Sequence, residues 1–171
     1  MDETLEPFKS ETRDGMRIDW DIPIPMEDGI ILRADLFRPI DDDKHPVILS
    51  YGAFGKGLAF QDGNRSAWDR MIAAFPEVAA GSTCKYQVWE VVDPEKWVPD
   101  GFICIRIDSR GAGRSPGKLD HHNPREAKDL YDCIEWAAWL RLPSSLIRII
   151  DRAGQDDARG PNKSRKPSLV Q

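Results

Sequence analysis

The stretch Phe102-Ile103-Cys104-Ile105-Arg106-Ile107-Asp108-Ser109-Arg110-Gly111-Ala112-Gly113-Arg114-Ser115-Pro116-Gly117 decides how the rest of the chain is read. A short apolar run leads directly into a glycine-rich turn. Soon after comes Asn123-Pro124-Arg125-Glu126: an N-cap residue, a proline at the first helical position and an acid at the third. Strand, turn and helix in that order predict an α/β sheet whose loops gather at the carboxyl ends of its strands, where such folds place their chemistry. Residues 113–117 also spell G-x-S-x-G, so the first question is whether Ser115 is a nucleophile.

The residues read as an ordinary turn. In a nucleophile elbow the backbone N–H after the serine helps to form the oxyanion hole, and here that position is Pro116, which has no N–H. An elbow serine also stands at the tip of its strand, whereas Asp108 to Arg114 separate Ser115 from the apolar run. Gly111-x-Gly113 brushes against the dinucleotide fingerprint, but that motif wants glycine where Pro116 stands and a place after the first strand of a sheet.

Towards the N-terminus, Ile18, Trp20, Ile22 and Ile24 alternate with polar or proline positions, the period of a half-buried strand. Glu27-Asp28-Gly29 is a turn, and Ile30 to Phe37 returns as a second strand, which together predict a β-hairpin. Pro46-Val47-Ile48-Leu49-Ser50-Tyr51 is apolar without alternation and suits a central strand buried on both faces. Gly52-Ala53-Phe54-Gly55-Lys56-Gly57 then reads as a flexible loop shaped for close backbone approach to a substrate. It is not a phosphate-binding P-loop, because Gly57 follows Lys56 where that motif needs Ser or Thr. Ser66 to Phe75 has helical spacing, with Trp68, Met71, Ile72 and Phe75 on one face. Residues 77–100 form a long loop in which Tyr86, Trp89 and Trp97 are expected to anchor the segment rather than line a pocket.

Towards the C-terminus, Ala127, Leu130, Tyr131, Ile134 and Ala138 make the apolar face of the helix that starts at Pro124. Leu146 to Ile150 has the composition of a short strand. Asp151 to Gln171 is charged and punctuated by Gly and Pro, the composition of a disordered tail. Lys163-Ser164-Arg165-Lys166 resembles a minimal basic targeting patch, with a solvated tail the preferred reading.

Composition bounds the function. The 171 residues suffice for one domain with a real core, and 40% hydrophobic with 31% charged residues is the profile of a soluble globular protein. A net charge of -5 argues against nucleic-acid or anionic-membrane partners. The acidic N-terminus lacks a signal-peptide core, and no run approaches the roughly 18 apolar residues of a membrane span. A cytoplasmic location is the expectation. Cys84, Cys104 and Cys133 are unevenly spaced without C-x-x-C, and with His45, His121 and His122 they form no metal-ligand pattern; reduced structural thiols, no metal and no cofactor follow.

The Asp28-Gly29-Ile30-Ile31-Leu32-Arg33-Ala34-Asp35 hairpin, Pro46 to Gly52, Glu90-Val91-Val92-Asp93-Pro94 and the Asp108–Gly117 turn together resemble the Xaa-Pro dipeptidyl-peptidase and cocaine-esterase family of serine hydrolases, from about Met16 to Trp136. The resemblance implies an α/β-hydrolase fold with a C-terminal jelly-roll domain. It implies a serine that attacks an ester or X-Pro amide, a histidine that relays its proton and an aspartate that orients the histidine. The substrate is then a small-molecule ester or peptide. The nucleophile elbow of the family follows the helix that begins here at Pro124, and no serine in such a context follows it in this sequence. The family places a tyrosine hydroxyl in the oxyanion loop at the position of Phe54, whose ring has no proton to donate.

The expectation is therefore an incomplete α/β-hydrolase sheet over residues 16–140, an N-terminal hairpin plus two central strands and flanking helices. Residues 1–15 and the tail 141–171 are expected to be disordered. No catalytic residue is assigned; Tyr51, Gly52 and Phe54 are assigned to the oxyanion-loop region. Two functions are compatible with this reading: a catalytically incomplete portion of a hydrolase, or a non-catalytic binding or heteromerisation protein built on half the fold.

Overall fold

The computed structural model describes residues 9–139 and 147–149. The expected disorder of 1–8, 141–146 and 150–171, and the basic patch at Lys163–Lys166, lie outside the described residues. Among the described residues six strands pair in the order β1-β2-β3-β5-β4-β6, where β1 is Lys9–Arg13, β2 Met16–Pro25, β3 Ile31–Arg38, β4 Val47–Gly52, β5 Ile103–Asp108 and β6 Ile147–Ile149. The first three are antiparallel, β5 runs antiparallel to β3, and β4 and β6 continue the sheet in parallel with β5. The sheet extends past the expected domain at both ends. Lys9–Arg13, placed in a disordered N-terminus, is an edge strand on β2. Within the segment 141–171, the short strand expected in Leu146 to Ile150 is present as β6, on the far side of β4.

The hairpin turn forms as its residues dictate. Gly29 sits at φ 84°, in the left-handed region that glycine enters without strain, and Met26 N–H donates to the Ile30 carbonyl at 2.8 Å. Between Asp19 and Ile22 the β2–β3 register shifts, and Asp21 stands at φ 53°. That bulge turns the Asp21 N–H onto the Asp35 carboxylate at 3.0 Å.

Side-chain alternation along the central strands makes two cores. Ile103, Ile105 and Ile107 of β5 join Leu32, Ala34, Leu36, Val47 and Leu49 beneath the helix α4 (Pro124–Trp139). On the other face Cys104 joins Met16, Ile18, Phe37 and Tyr86. Tyr86 stands 5.5 Å from the Phe37 ring and donates its hydroxyl to Asp14, so it anchors its long loop as expected. A third cluster of Phe60, Trp68 and Cys84 holds the short helices α1 (Phe60–Gly63) and α2 (Arg65–Ala74) to that loop. The loop also contains one helical turn, α3 (Pro94–Trp97), capped by Asp93. Among the described residues no helix is long and apolar enough to cross a membrane.

Two helix faces differ from the periodic reading. Phe75 lies past the end of α2, at φ −138° and ψ 71°, outside the helical region that a following proline disfavours, and is 56% exposed. In α4 the buried stripe is Asp129, Cys133 and Ala137, flanked by Leu130 and Trp136, whereas Tyr131, Ala127 and Ala138 are exposed. The cause is electrostatic. Arg110 binds Asp129 through Nε and Nη2 at 2.7 and 2.9 Å, and Arg125 binds it at 2.9 Å. Satisfied by three charge-assisted bonds, a carboxylate turns inward and rotates the helix with it.

Asp129→Ala is expected to lower stability by about 3 kcal/mol, because it leaves Arg110 and Arg125 without their inner partner. Urea unfolding followed by far-UV circular dichroism measures it.

Candidate active site

The glycine-rich turn is built around one carboxylate. Asp108, the last residue of β5, is 1% exposed and accepts the N–H of Lys56 at 2.6 Å and of Arg114 at 2.9 Å. A side chain on Gly113 would place its Cβ 2.2 Å from Asp108 Oδ2, and Gly113 also has φ 49°, so only glycine fits there. Burial raises the Asp108 carboxyl above its ordinary range, while the two N–H donors pull it back.

Ser115 closes the turn. It is 5% exposed, donates its hydroxyl to the Asp108 carbonyl at 2.7 Å and accepts the Arg33 N–H at 2.9 Å. Its proton is therefore spent on the backbone, and the turn-serine reading holds. From the same turn Arg110 reaches out to Asp129 on α4 and Asp28 on the hairpin, and both pairs raise its pKa. His45 is held at the other end of the sheet, between the Gly101 carbonyl and Asp41. His121 and His122 stand at the start of α4, where Glu126 faces the one ring and accepts the backbone N–H of the other.

The loop after β4 is not free. Lys56 is buried, and its ammonium lies 2.6 Å from Asp21 and 2.7 Å from Asp35. Burial raises the Asp35 carboxyl, with Lys56 opposing. Residues 52–57, expected to be flexible, are thus pinned at Lys56 by its backbone on Asp108 and its side chain on Asp21 and Asp35.

The three residues assigned to the oxyanion-loop region share one cleft. Tyr51, Gly52 and Phe54 line it at the carboxyl ends of β4 and β5, together with Val88–Val91 and Arg106. Gly52 ends β4, and its carbonyl accepts the Ser109 N–H. Phe54 is 49% exposed, and its ring contributes no donor. Tyr51 belongs to the strand; burial raises the pKa of its hydroxyl, which lies near Asp129 and Cys133 of α4. Trp89, expected only to anchor its loop, packs its ring 4.5 Å from Phe60 and also lines this cleft. Arg106 and Lys56 are the wall residues that sequence reasoning passed over. The available signal was a lone arginine inside an otherwise apolar strand.

The family model described as X-Pro dipeptidyl-peptidase (S15 family) matches residues 28–153, which takes in the whole cleft and β6. The cocaine esterase of Rhodococcus sp. (strain MB1 Bresler) is 28% identical over 115 residues, covering 67% of this chain and 16% of the esterase. A solved CocE/NonD family hydrolase from Staphylococcus aureus is 32% identical with a TM-score of 0.62, covering 78% of this chain and 22% of that one. An α-amino acid ester hydrolase, 19% identical at a TM-score of 0.53, shares the fold. The chain thus spans under a quarter of each of these proteins, and its sheet is that of an α/β-hydrolase.

Ser115→Ala is expected to lower stability by roughly 2 kcal/mol, since it strands the buried Arg33 N–H; urea unfolding reads it. Asp108 gives a pH signature. A folded-state pKa above the unfolded one contributes stability that is present below the unfolded value and lost as pH rises through the folded value. The stability difference between the wild type and Asp108→Asn is therefore expected to be larger at pH 4 than at pH 7.

Proposed function

The chain belongs to the X-Pro dipeptidyl-peptidase (S15) family, and from that premise we propose that it carries the sheet and the oxyanion-loop side of a serine hydrolase acting on ester or X-Pro peptide bonds, without completing the catalytic machinery itself. One observation carries this reading: the cleft at the carboxyl ends of β4 and β5, where an α/β sheet places its ligand, is bordered by Phe54.

Acyl transfer needs an activated nucleophile and preorganised donors aimed at the developing oxyanion. The G-x-S-x-G serine supplies neither, because Ser115 holds the turn to β3. The phenyl ring of Phe54 supplies no donor where the family has a hydroxyl, and loss of one such donor costs about 100- to 1,000-fold in rate. What remains is a shaped, largely apolar site on a rigid sheet, which can position a substrate without cleaving it.

The purified 171-residue chain is expected to show no labelling by a fluorophosphonate probe and no turnover of a p-nitrophenyl ester or an X-Pro anilide. Stoichiometric labelling at any serine, or turnover above a heat-denatured control, would overturn this reading.

A further inference from the structure

Arg106 lies in the middle of β5, 3% exposed, and its guanidinium has two described partners, neither of them anionic. Nη2 donates to the Val92 carbonyl at 2.8 Å, and the group stands 5.0 Å over the Phe37 ring. Nε is buried with no hydrogen-bond partner among the described residues. The acids that act on it through space are engaged elsewhere: Asp35 binds Lys56, and Asp93 caps α3 and accepts the Ser82 hydroxyl. Burial lowers its pKa to about 10, which leaves it charged at neutral pH. A buried charge normally comes with a counter-charge, since removing it from water is costly. The same side chain lines the candidate cleft.

We propose that Arg106 is an anion-recognition residue, and that the cleft binds the carboxylate of a compact apolar acid, the class of molecule that ester hydrolysis releases. The inference rests on reading this cleft as the substrate site. A planar guanidinium whose Nε–H has no partner among the described residues matches a carboxylate better than any other common anion of that size. The cleft, about 50 Å³, has room for a two-oxygen group rather than a ring. Phe54, Val88 and Trp89 also line a neighbouring apolar groove of about 470 Å³ edged by Leu58 and Phe60. The polar side chain in that groove, Asn64, is committed to capping α2. Ser50 and the exposed Glu90 also line the cleft, so the selection of an arylalkanoate over the protonated amino terminus of a dipeptide rests on the buried Arg106 guanidinium and on the hydrocarbon of the adjoining groove.

Phenylacetate and its neutral isostere phenylacetamide test this on the intact chain by thermal shift and calorimetric titration. The acid is expected to bind at least about tenfold more tightly than the amide. Arg106→Gln is expected to abolish that preference without lowering the melting temperature, because it removes an unpaired buried charge and keeps a donor for Val92. Leu58→Glu, at a 53% exposed position on the groove's edge, is expected to weaken phenylacetate without affecting folding. Absence of phenylacetate binding, equal binding of the amide, or a preference for the acid that survives Arg106→Gln would each overturn the proposal. If Arg106→Gln does not fold, the acid–amide comparison on the unaltered chain and Leu58→Glu decide it. Binding is read without turnover, so labelling of a serine by fluorophosphonate would remove the proposed function and leave this result standing.

Discussion

The Asp108 carboxylate is the junction on which the site depends. Its two oxygens take the Lys56 N–H from the loop after β4 and the Arg114 N–H from the turn after β5, tying the carboxyl ends of the two central strands to one side chain. Everything that shapes the cleft follows from that tie. Gly113 must be glycine because the carboxylate occupies the space of a Cβ, Ser115 is drawn onto the Asp108 carbonyl, and Phe54 is carried to the cleft edge by a loop held at Lys56. A buried carboxylate is tolerable here only because backbone donors surround it, which makes the turn rigid.

A second layer of charge fixes what surrounds the site. Arg110 runs from the turn to Asp129 on α4 and Asp28 on the hairpin, so one guanidinium locks helix, turn and β2–β3 ribbon together. On the opposite face Lys56 is held by Asp21 and Asp35, and Arg114 adds a further contact to Asp21 at 2.8 Å. Asp21 is available because the β2 bulge brings it round to that position.

These two layers mark the boundary of what was legible in the chain. Period-two alternation at Ile18 to Ile24, the Asp28-Gly29 turn, the unbroken apolar runs of β4 and β5 and the Asn123-Pro124 helix start are local signals, and each element formed where it was read. The family resemblance rested on those same segments. What local pattern cannot carry is which charge meets which across the fold. Asp129 sits on the buried side of α4 only because Arg110, 19 residues earlier, comes to meet it. The glycine-rich loop at residues 52–57 looked mobile because nothing in its own sequence announces Asp21 and Asp35. Strand β1 was missed for a related reason: Lys-Ser-Glu-Thr-Arg has no hydrophobic period, and its pairing comes from β2.

Two buried cations that line the cleft make the last distinction. Lys56 and Arg106 both line the cleft, yet Lys56 has two carboxylates within 2.7 Å, whereas Arg106 has a carbonyl and a ring. The first arrangement is complete within the fold and explains itself as a clamp on the loop after β4. The second is not, because any neutral donor would serve the Val92 carbonyl, and any apolar side chain would pack on Phe37 with less desolvation cost. A fold selected for stability alone removes such a charge, whereas sites that meet a charged ligand retain it and accept the lower stability of the empty state. The contrast lies within a single cleft, so the difference between the cations reflects what each contacts rather than how deeply each is buried.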